Sequence, residues 1–297
     1  SADDITHVKS KKRIEYKNAW LKIYDTPVAY FPYFFHPDPS VKRQSGFLFP
    51  EFSNSSNLGF STQIPYFKAI SHDKDMTISP RVFTDNNLFL QTEYRQSFEN
   101  SNLITDLSFN KKQNTNSHLF SRFNSESDDS FFEMKIETAS NTNYLKKYQI
   151  QSPLINSYST LNSSFLFEKY TDNYYFSTSF DVIEDLSKEK NDRYEYIIPN
   201  YNFSKEIILN DSFFETANIQ STGNYKKFNT NVDEADMIND LFLISKKQNK
   251  LNNFDSEFSI LFRNINTYGD LSTKYKDDEN YNLISSALLN LRYPLVK

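Results

Sequence analysis

The sequence predicts an all-β protein whose larger part is a long antiparallel meander of the membrane-barrel type. Two observations predict it. From about residue 87 onward, apolar and polar residues alternate with a period of two, and clusters of Asn, Asp, Ser and Lys punctuate the alternation at short intervals. The apolar positions are also rich in aromatics: 28 Phe and 20 Tyr bring the aromatic content to 16% in a chain that is only 38% hydrophobic. A mean hydropathy of −0.67 reads as soluble, but strands with one apolar and one polar face hide from such an average. A transmembrane strand needs only about 9–11 residues of this kind. No window approaches the roughly 18 consecutive apolar residues that would suggest a spanning helix.

In chain order, residues 1–25 form a smaller and more polar unit. Ile14–Tyr24 reads as a strand within it, and Asp25-Thr26-Pro27 as a junction. The opening SADDITHVKSKK lacks the apolar core of a signal peptide. Tyr30–Pro50 then places prolines inside two aromatic-rich strands. Pro32 sits between Phe31 and Tyr33, and Pro50 closes Gly46-Phe47-Leu48-Phe49. Proline has no N–H to give a ladder, so two neighbouring strands that each lack a donor predict a weak seam. The plainer alternative is that one proline starts a strand and the other ends one.

The meander itself is explicit. Phe132, Met134 and Ile136 oppose Glu133, Lys135 and Glu137. Phe176, Phe180 and Val182 oppose Ser177, Ser179 and Asp181, and Phe258, Ile260 and Phe262 oppose Glu257 and Ser259. Turns fall at residues 85–87, 110–116, 125–130, 187–192 and 276–280, and with only four glycines in the chain Asn is expected at left-handed positions. Val232–Lys247 reads two ways, as an amphipathic helix with Met237, Leu241 and Ile244 on one face, or as a loop feeding a strand at Asp240–Ser245. The alternation of Leu289, Leu291, Tyr293 and Leu295 stops without a closing segment. That predicts an excerpt with open strand edges at both ends.

Several function classes find no support. Thirty-three basic and 38 acidic residues are interspersed, so no basic stripe suggests nucleic acid. With no cysteine there is no disulfide and no thiolate metal site. His72-Asp73 with Asp75 reads as a polar turn, a metal site being the alternative. Asp128-Asp129 and Asp277-Asp278-Glu279 read as solvated loops, with divalent-cation binding at a bacterial surface as the alternative. No nucleophile–base pair or nucleotide fingerprint is present, so no catalytic residue, metal or cofactor is expected. A soluble β-sandwich could use the same alternation, but its strands come in sets of seven to nine.

Asn18–Phe52 resembles the lipopolysaccharide-assembly outer-membrane proteins of the LptD (OstA) family. The resemblance rests on Pro27-Val28-Ala29-Tyr30-Phe31-Pro32-Tyr33, on Pro37-Asp38-Pro39, and on Lys42-Arg43-Gln44-Ser45-Gly46-Phe47-Leu48-Phe49-Pro50. Ile64–Phe67, Asp75–Arg81 and Glu93-Tyr94-Arg95 continue it, as does Leu291–Leu295 near the end. It implies a partial antiparallel transmembrane β-barrel over residues 26–297, preceded by the remnant of a periplasmic β-jellyroll over residues 1–25. It further implies an outer-membrane location with periplasmic N-terminal residues, and sideways release of lipopolysaccharide through a lateral gate at Pro32 and Pro50. Pro27, Tyr30, Tyr33, Pro37, Arg43, Ser45, Gly46 and Phe47 are the motif positions where the barrel begins. The implied partners are lipopolysaccharide, outer-membrane lipid, a plug lipoprotein of the LptE type and a periplasmic bridge protein of the LptA type. Against this stand another outer-membrane barrel, such as a porin-like channel or adhesin, and a soluble β-sandwich binding module.

Overall fold

A computed structural model describes residues 1–293 except residues 24, 42, 57, 85, 86, 112–114, 189, 252 and 253. Its first unit is a three-stranded antiparallel sheet of β1 (Asp4–Val8), β2 (Arg13–Ile23) and β3 (Thr26–Pro37). The boundary expected after residue 25 is therefore corrected. β3 pairs with β2 from Ile23↔Thr26 to Arg13↔Pro37, and side chains reinforce the ladder. The Trp20 and Tyr30 rings lie 4.8 Å apart, Tyr16 Oη lies 2.7 Å from His36 Nε2, and the Tyr30 hydroxyl donates to Asn18 Oδ1 at 2.7 Å. Pro32 thus belongs to this small sheet and not to the first barrel strand. It falls opposite Asn18, a left-handed residue (φ 50°) that the register steps over. An imino acid fits where no ladder pairing is made.

The barrel strands follow. They are β4 (Gly46–Phe47), β5 (Glu51–Ser55), β6 (Gly59–Gln63), β7 (Tyr66–Ala69), β8 (Lys74–Phe83), β9 (Leu88–Ser97), β10 (Ser101–Lys111), β11 (Thr115–Ser127) and β12 (Ser130–Ala139). After the short helix α1 (Tyr144–Tyr148) come β13 (Thr160–Thr171), β14 (Tyr174–Asp185), β15 (Tyr194–Ile208), β16 (Phe214–Phe228), β17 (Val232–Ser245), β18 (Gln248–Leu251), β19 (Phe254–Asp270) and β20 (Asn280–Arg292). Val232–Ser245 is a strand with β16 on one side and β19 on the other, which corrects the helical alternative. Two flanking ladders satisfy its backbone, and no helix period could serve both. Among the described residues seven non-glycine positions have positive φ, and of these only Asn18 and Asn229 are Asn. Lys12, Asp25, Gln149, Thr230 and Leu271 take the others.

The strand order closes on itself, with β20 followed by β4, where two open edges were expected. Closure is nonetheless narrow. From β8 to β17 each strand pairs antiparallel with the next, with register shifts in the β14–β15, β15–β16 and β16–β17 ladders, and β17 is joined to β20 through β19. The closing step, from β20 to β4, runs along a strand of only two residues. β20 is exposed at every position except Asn280 and Asn290.

The registers also carry one face around the sheet. Arg81 pairs with Phe89, Phe89 with Asn110, Ser108 with His118, Phe120 with Glu137, Lys135 with Ser164, and Ser164 with Asp181. This face bears α1 and is the inner one. The opposite face presents Val82, Leu88, Leu107, Phe109, Leu119, Met134 and Phe180 as exposed apolar residues. It is not uniformly apolar. On β15–β19 the Tyr201 hydroxyl, Ser221, Asn239 and Asn264 form a hydrogen-bonded row across four strands. Gly223 makes room for the Tyr201 ring, since a Cβ there would lie 2.7 Å from Tyr201 Cε1.

Candidate functional site: the inner wall, its plug and the seam

The hydrophobic core is not between two sheets but inside the barrel. The connection from Ser140 to Ser159 folds against the inner wall, and its Tyr144, Leu145, Tyr148, Ile150 and Leu154 pack with Phe83, Phe89 and Phe120. α1 ends at Gln149 in the left-handed region (φ 49°), where the Ile150 N–H donates to the Leu145 carbonyl at 3.1 Å. This C-cap turns Ile150 back onto the same face. The Phe89 and Tyr148 rings stack 5.7 Å apart, and Phe83 meets Tyr148 edge-on at 5.9 Å.

Polar groups tie the plug down. The Arg81 guanidinium donates to the Tyr148 carbonyl at 2.9 Å, and Gln91 Nε2 donates to the Gln151 carbonyl at 2.8 Å and to both Asp106 oxygens. The Tyr148 hydroxyl donates to Asn110 Oδ1 at 3.3 Å. Ser108 Oγ lies 2.6 Å from His118 Nδ1 and 2.5 Å from the Tyr144 hydroxyl. Burial raises the Tyr144 phenol far above its ordinary value and so keeps it neutral. His118 Nε2 is 3.4 Å from Asp106 Oδ1. Ser108, His118 and Asp106 thus come together although the sequence showed no nucleophile–base pair. All three are sealed beneath the plug, and their contacts serve to hold Tyr144. Alternation alone places them on inward positions, but only the β10–β11 register brings Ser108 opposite His118.

The motif positions divide between the two sheets. Pro27, Tyr30, Tyr33 and Pro37 lie in β3, where Tyr33 accepts a hydrogen bond from Arg13 at 3.2 Å. Arg13 also holds the Glu15 carboxyl below its usual range. Between the sheets, Asp38 accepts from the Ser40 backbone N–H at 2.8 Å and faces His7 at 2.6 Å. These contacts hold its carboxyl below the ordinary range, the backbone hydrogen bond most.

Arg43, Ser45, Gly46 and Phe47 mark where the barrel begins. Arg43 donates to the His72 carbonyl at 2.9 Å and pairs with the buried Asp75, which Arg95 also holds at 2.8 Å. Ser45 Oγ accepts from the Ala69 N–H at 3.0 Å, and the Phe47 and Tyr66 rings meet edge-on at 5.0 Å. A Cβ on Gly46 would meet nothing within 4 Å, so no steric demand selects glycine there. These contacts pin the chain to the β7–β8 turn. His72 projects into solvent and Asp75 is spent on arginines, so they do not converge. Among the described residues no three His, Asp or Glu side chains are placed to share a metal.

Pro50 lies between β4 and β5, beside the closing step. From Phe47↔Tyr66 to Glu51↔Gln63 the chain takes four steps on the Pro50 side against three opposite, so a one-residue bulge falls there. The residues around it are bare: Phe47 is 76% and Phe49 90% exposed. Behind this strand a cavity of about 530 Å³ opens onto the plug, bordered by Leu48, Phe52, Arg81, Gln91 and Tyr148.

No protein-family profile matches the chain. Curated relatives do. An LPS-assembly protein LptD of Pseudoalteromonas translucida is 36% identical over 122 residues, 41% of this chain and 16% of that protein. LptD of Shewanella oneidensis is 44% identical over 78 residues, 26% of this chain and 10% of its own length. LptD of Idiomarina loihiensis is 38% identical over 88 residues, 29% of this chain and 12% of its own length. The matched stretches thus span less than a fifth of these relatives. Over the stretches they share, this β-barrel chain is homologous to these LPS-assembly proteins LptD.

Proposed function

We propose that this chain forms part of an outer-membrane barrel that passes the glycan of lipopolysaccharide through its polar lumen. The acyl chains leave sideways through the seam between β20 and β4–β5. The barrel performs no chemical step. The single observation that carries this reading is the seam itself, where a barrel of strands mostly 10 to 17 residues long closes through a two-residue strand and a proline bulge. In lipid each unsatisfied backbone group costs several kcal/mol, so a seam that opens should have few ladder bonds to lose.

Loop length orients the barrel. The connections 140–159, 186–193 and 271–279 leave one end, and the two-residue turns 128–129 and 172–173 leave the other. Outer-membrane barrels carry short turns on the periplasmic side. The small sheet joins the barrel at the short-turn end, which makes it periplasmic and a place for a bridge protein of the LptA type to deliver substrate. By the same orientation Asp277-Asp278-Glu279 face outward, and Asp128-Asp129 do not. A lipoprotein of the LptE type would share the lumen with the plug.

Because Pro50 borders the seam and Pro32 lies in the small sheet, the two variants should separate. Pro50→Ala restores one possible donor, worth about 0.5–1.5 kcal/mol, and so shifts an open–closed equilibrium by about 2- to 13-fold toward closed. Surface lipopolysaccharide should fall in Pro50→Ala while membrane insertion survives. Pro32→Ala should transport normally. Normal transport in Pro50→Ala, with unchanged crosslinking across the seam, would assign Pro50 to strand termination alone.

A further inference from the structure

On the inner wall Arg81 makes no ion pair with a described residue, and Glu51, in the same cross-strand row, acts on it only from a distance. Arg81 donates through Nε to Ser61 Oγ at 2.9 Å, through Nη1 to the Tyr148 carbonyl at 2.9 Å and through Nη2 to Ser53 Oγ at 2.5 Å. All three acceptors are neutral. Among the described residues no carboxylate lies within ion-pair distance of Arg81. By contrast Arg43 and Arg95 pair with Asp75, and Arg263 pairs with Asp240 at 2.7 Å. Two of the five guanidinium N–H groups have no protein acceptor among the described residues. The guanidinium borders the 530 Å³ cavity between plug and seam. Glu51 and Glu93 also line that cavity; Glu93 is 3.5 Å from Arg95 and Glu51 is exposed on β5.

We propose that Arg81 is an anion subsite, and that the group it takes is the phosphate of a phosphorylated saccharide. A planar fork with free donors suits a phosphate, which binds it in two-point fashion. A cavity of this size accommodates a sugar ring beside the phosphate, with Gln91 and Gln63 supplying amide groups on its walls. The same guanidinium holds the plug at Tyr148, so an anion that draws on it weakens the latch. The subsite and the latch are one group, and substrate arrival loosens the plug on the side facing the seam. The substrate class rests on the lipopolysaccharide reading above; the anion site itself does not.

The test uses the native protein in detergent with three probes: glucose 1-phosphate, inorganic phosphate and glucose. Calorimetry reads binding, and hydrogen exchange reads the amides of Gln149–Gln151. Glucose 1-phosphate should bind and speed exchange of these amides, and glucose should do neither. Arg81→Gln should weaken glucose 1-phosphate at least about tenfold, one charged hydrogen bond being worth that or more. Arg81→Lys, which keeps the charge and guards against misfolding, should bind more weakly than the parent but measurably. Inorganic phosphate binding as tightly as glucose 1-phosphate would overturn the saccharide part of the proposal. Undiminished binding in Arg81→Gln, or no binding by the parent, would overturn the subsite whatever the transport phenotype. Absence of lipopolysaccharide transport with intact anion binding would overturn the transport reading and leave the subsite standing.

Discussion

Phe180→Arg should destabilise the barrel by about 2–4 kcal/mol if its position lies near the bilayer midplane, whereas Ser179→Arg should be close to silent. The two positions are adjacent on β14 and differ only in face. Ser179 and Asp181 lie on the face that Ser164 and Lys135 carry round from the plug. Phe180 lies on the other face, 40% exposed and stacked on Phe165 at 5.5 Å. An Arg at Phe180 would place a charge against hydrocarbon, while an Arg at Ser179 joins a polar lumen. Denaturant titration in lipid vesicles, read by the heat-dependent gel shift, measures both. Equal losses at the two positions would refute the assignment of faces.

The second large effect concerns the plug. Phe120→Ala should cost about 3–5 kcal/mol, the usual range for a fully buried aromatic truncated to a cavity, and should free the Ser140–Ser159 segment. Phe120 is fully buried in the cluster with Tyr144 and Leu145, and its ring lies 4.2 Å from His118. The neighbouring Leu119 points to the opposite, exposed face, so Leu119→Ala should leave the plug in place. Proteolysis of the 140–159 segment in the folded barrel reads the difference. Equal cleavage of both variants, at the parental rate, would show that the segment is not held by the inner wall.

Much of this arrangement was legible in the sequence. The period-two runs at Leu88–Phe98, Phe131–Thr138 and Tyr175–Val182 are strands at those places, with the apolar members outward, because a pleat puts alternate side chains on opposite faces whatever the strand pairs with. What a strand pairs with is not local information. β3 has the aromatic, proline-containing composition of a barrel strand. Its partner is set by a register with β2 that no single strand encodes, and this is why Pro32 was expected at the seam. The plug was hidden for a related reason. Tyr144, Leu145, Tyr148 and Ile150 look like a short amphipathic stretch in a loop, and only the converging inner positions of β8 to β11 give them a surface to cover. Nor did Arg81 stand out. That it makes no ion pair becomes visible only when Asp75 and Asp240 are seen to be taken by other arginines.

The central claim is that the barrel opens between β20 and β4–β5. Cysteines introduced pairwise, one on β20 and one within Phe47–Ser55, would form a reversible lock across that seam, and this chain contributes no cysteine of its own to confuse the pairing. A control pair at the cross-strand partners Met134 and Phe165 would lock β12 to β13 on the outer face. The account predicts that the oxidised seam pair stops delivery of lipopolysaccharide to the cell surface, that reductant restores it, and that the control pair has no effect. Undiminished delivery by barrels whose seam is fully crosslinked would contradict it.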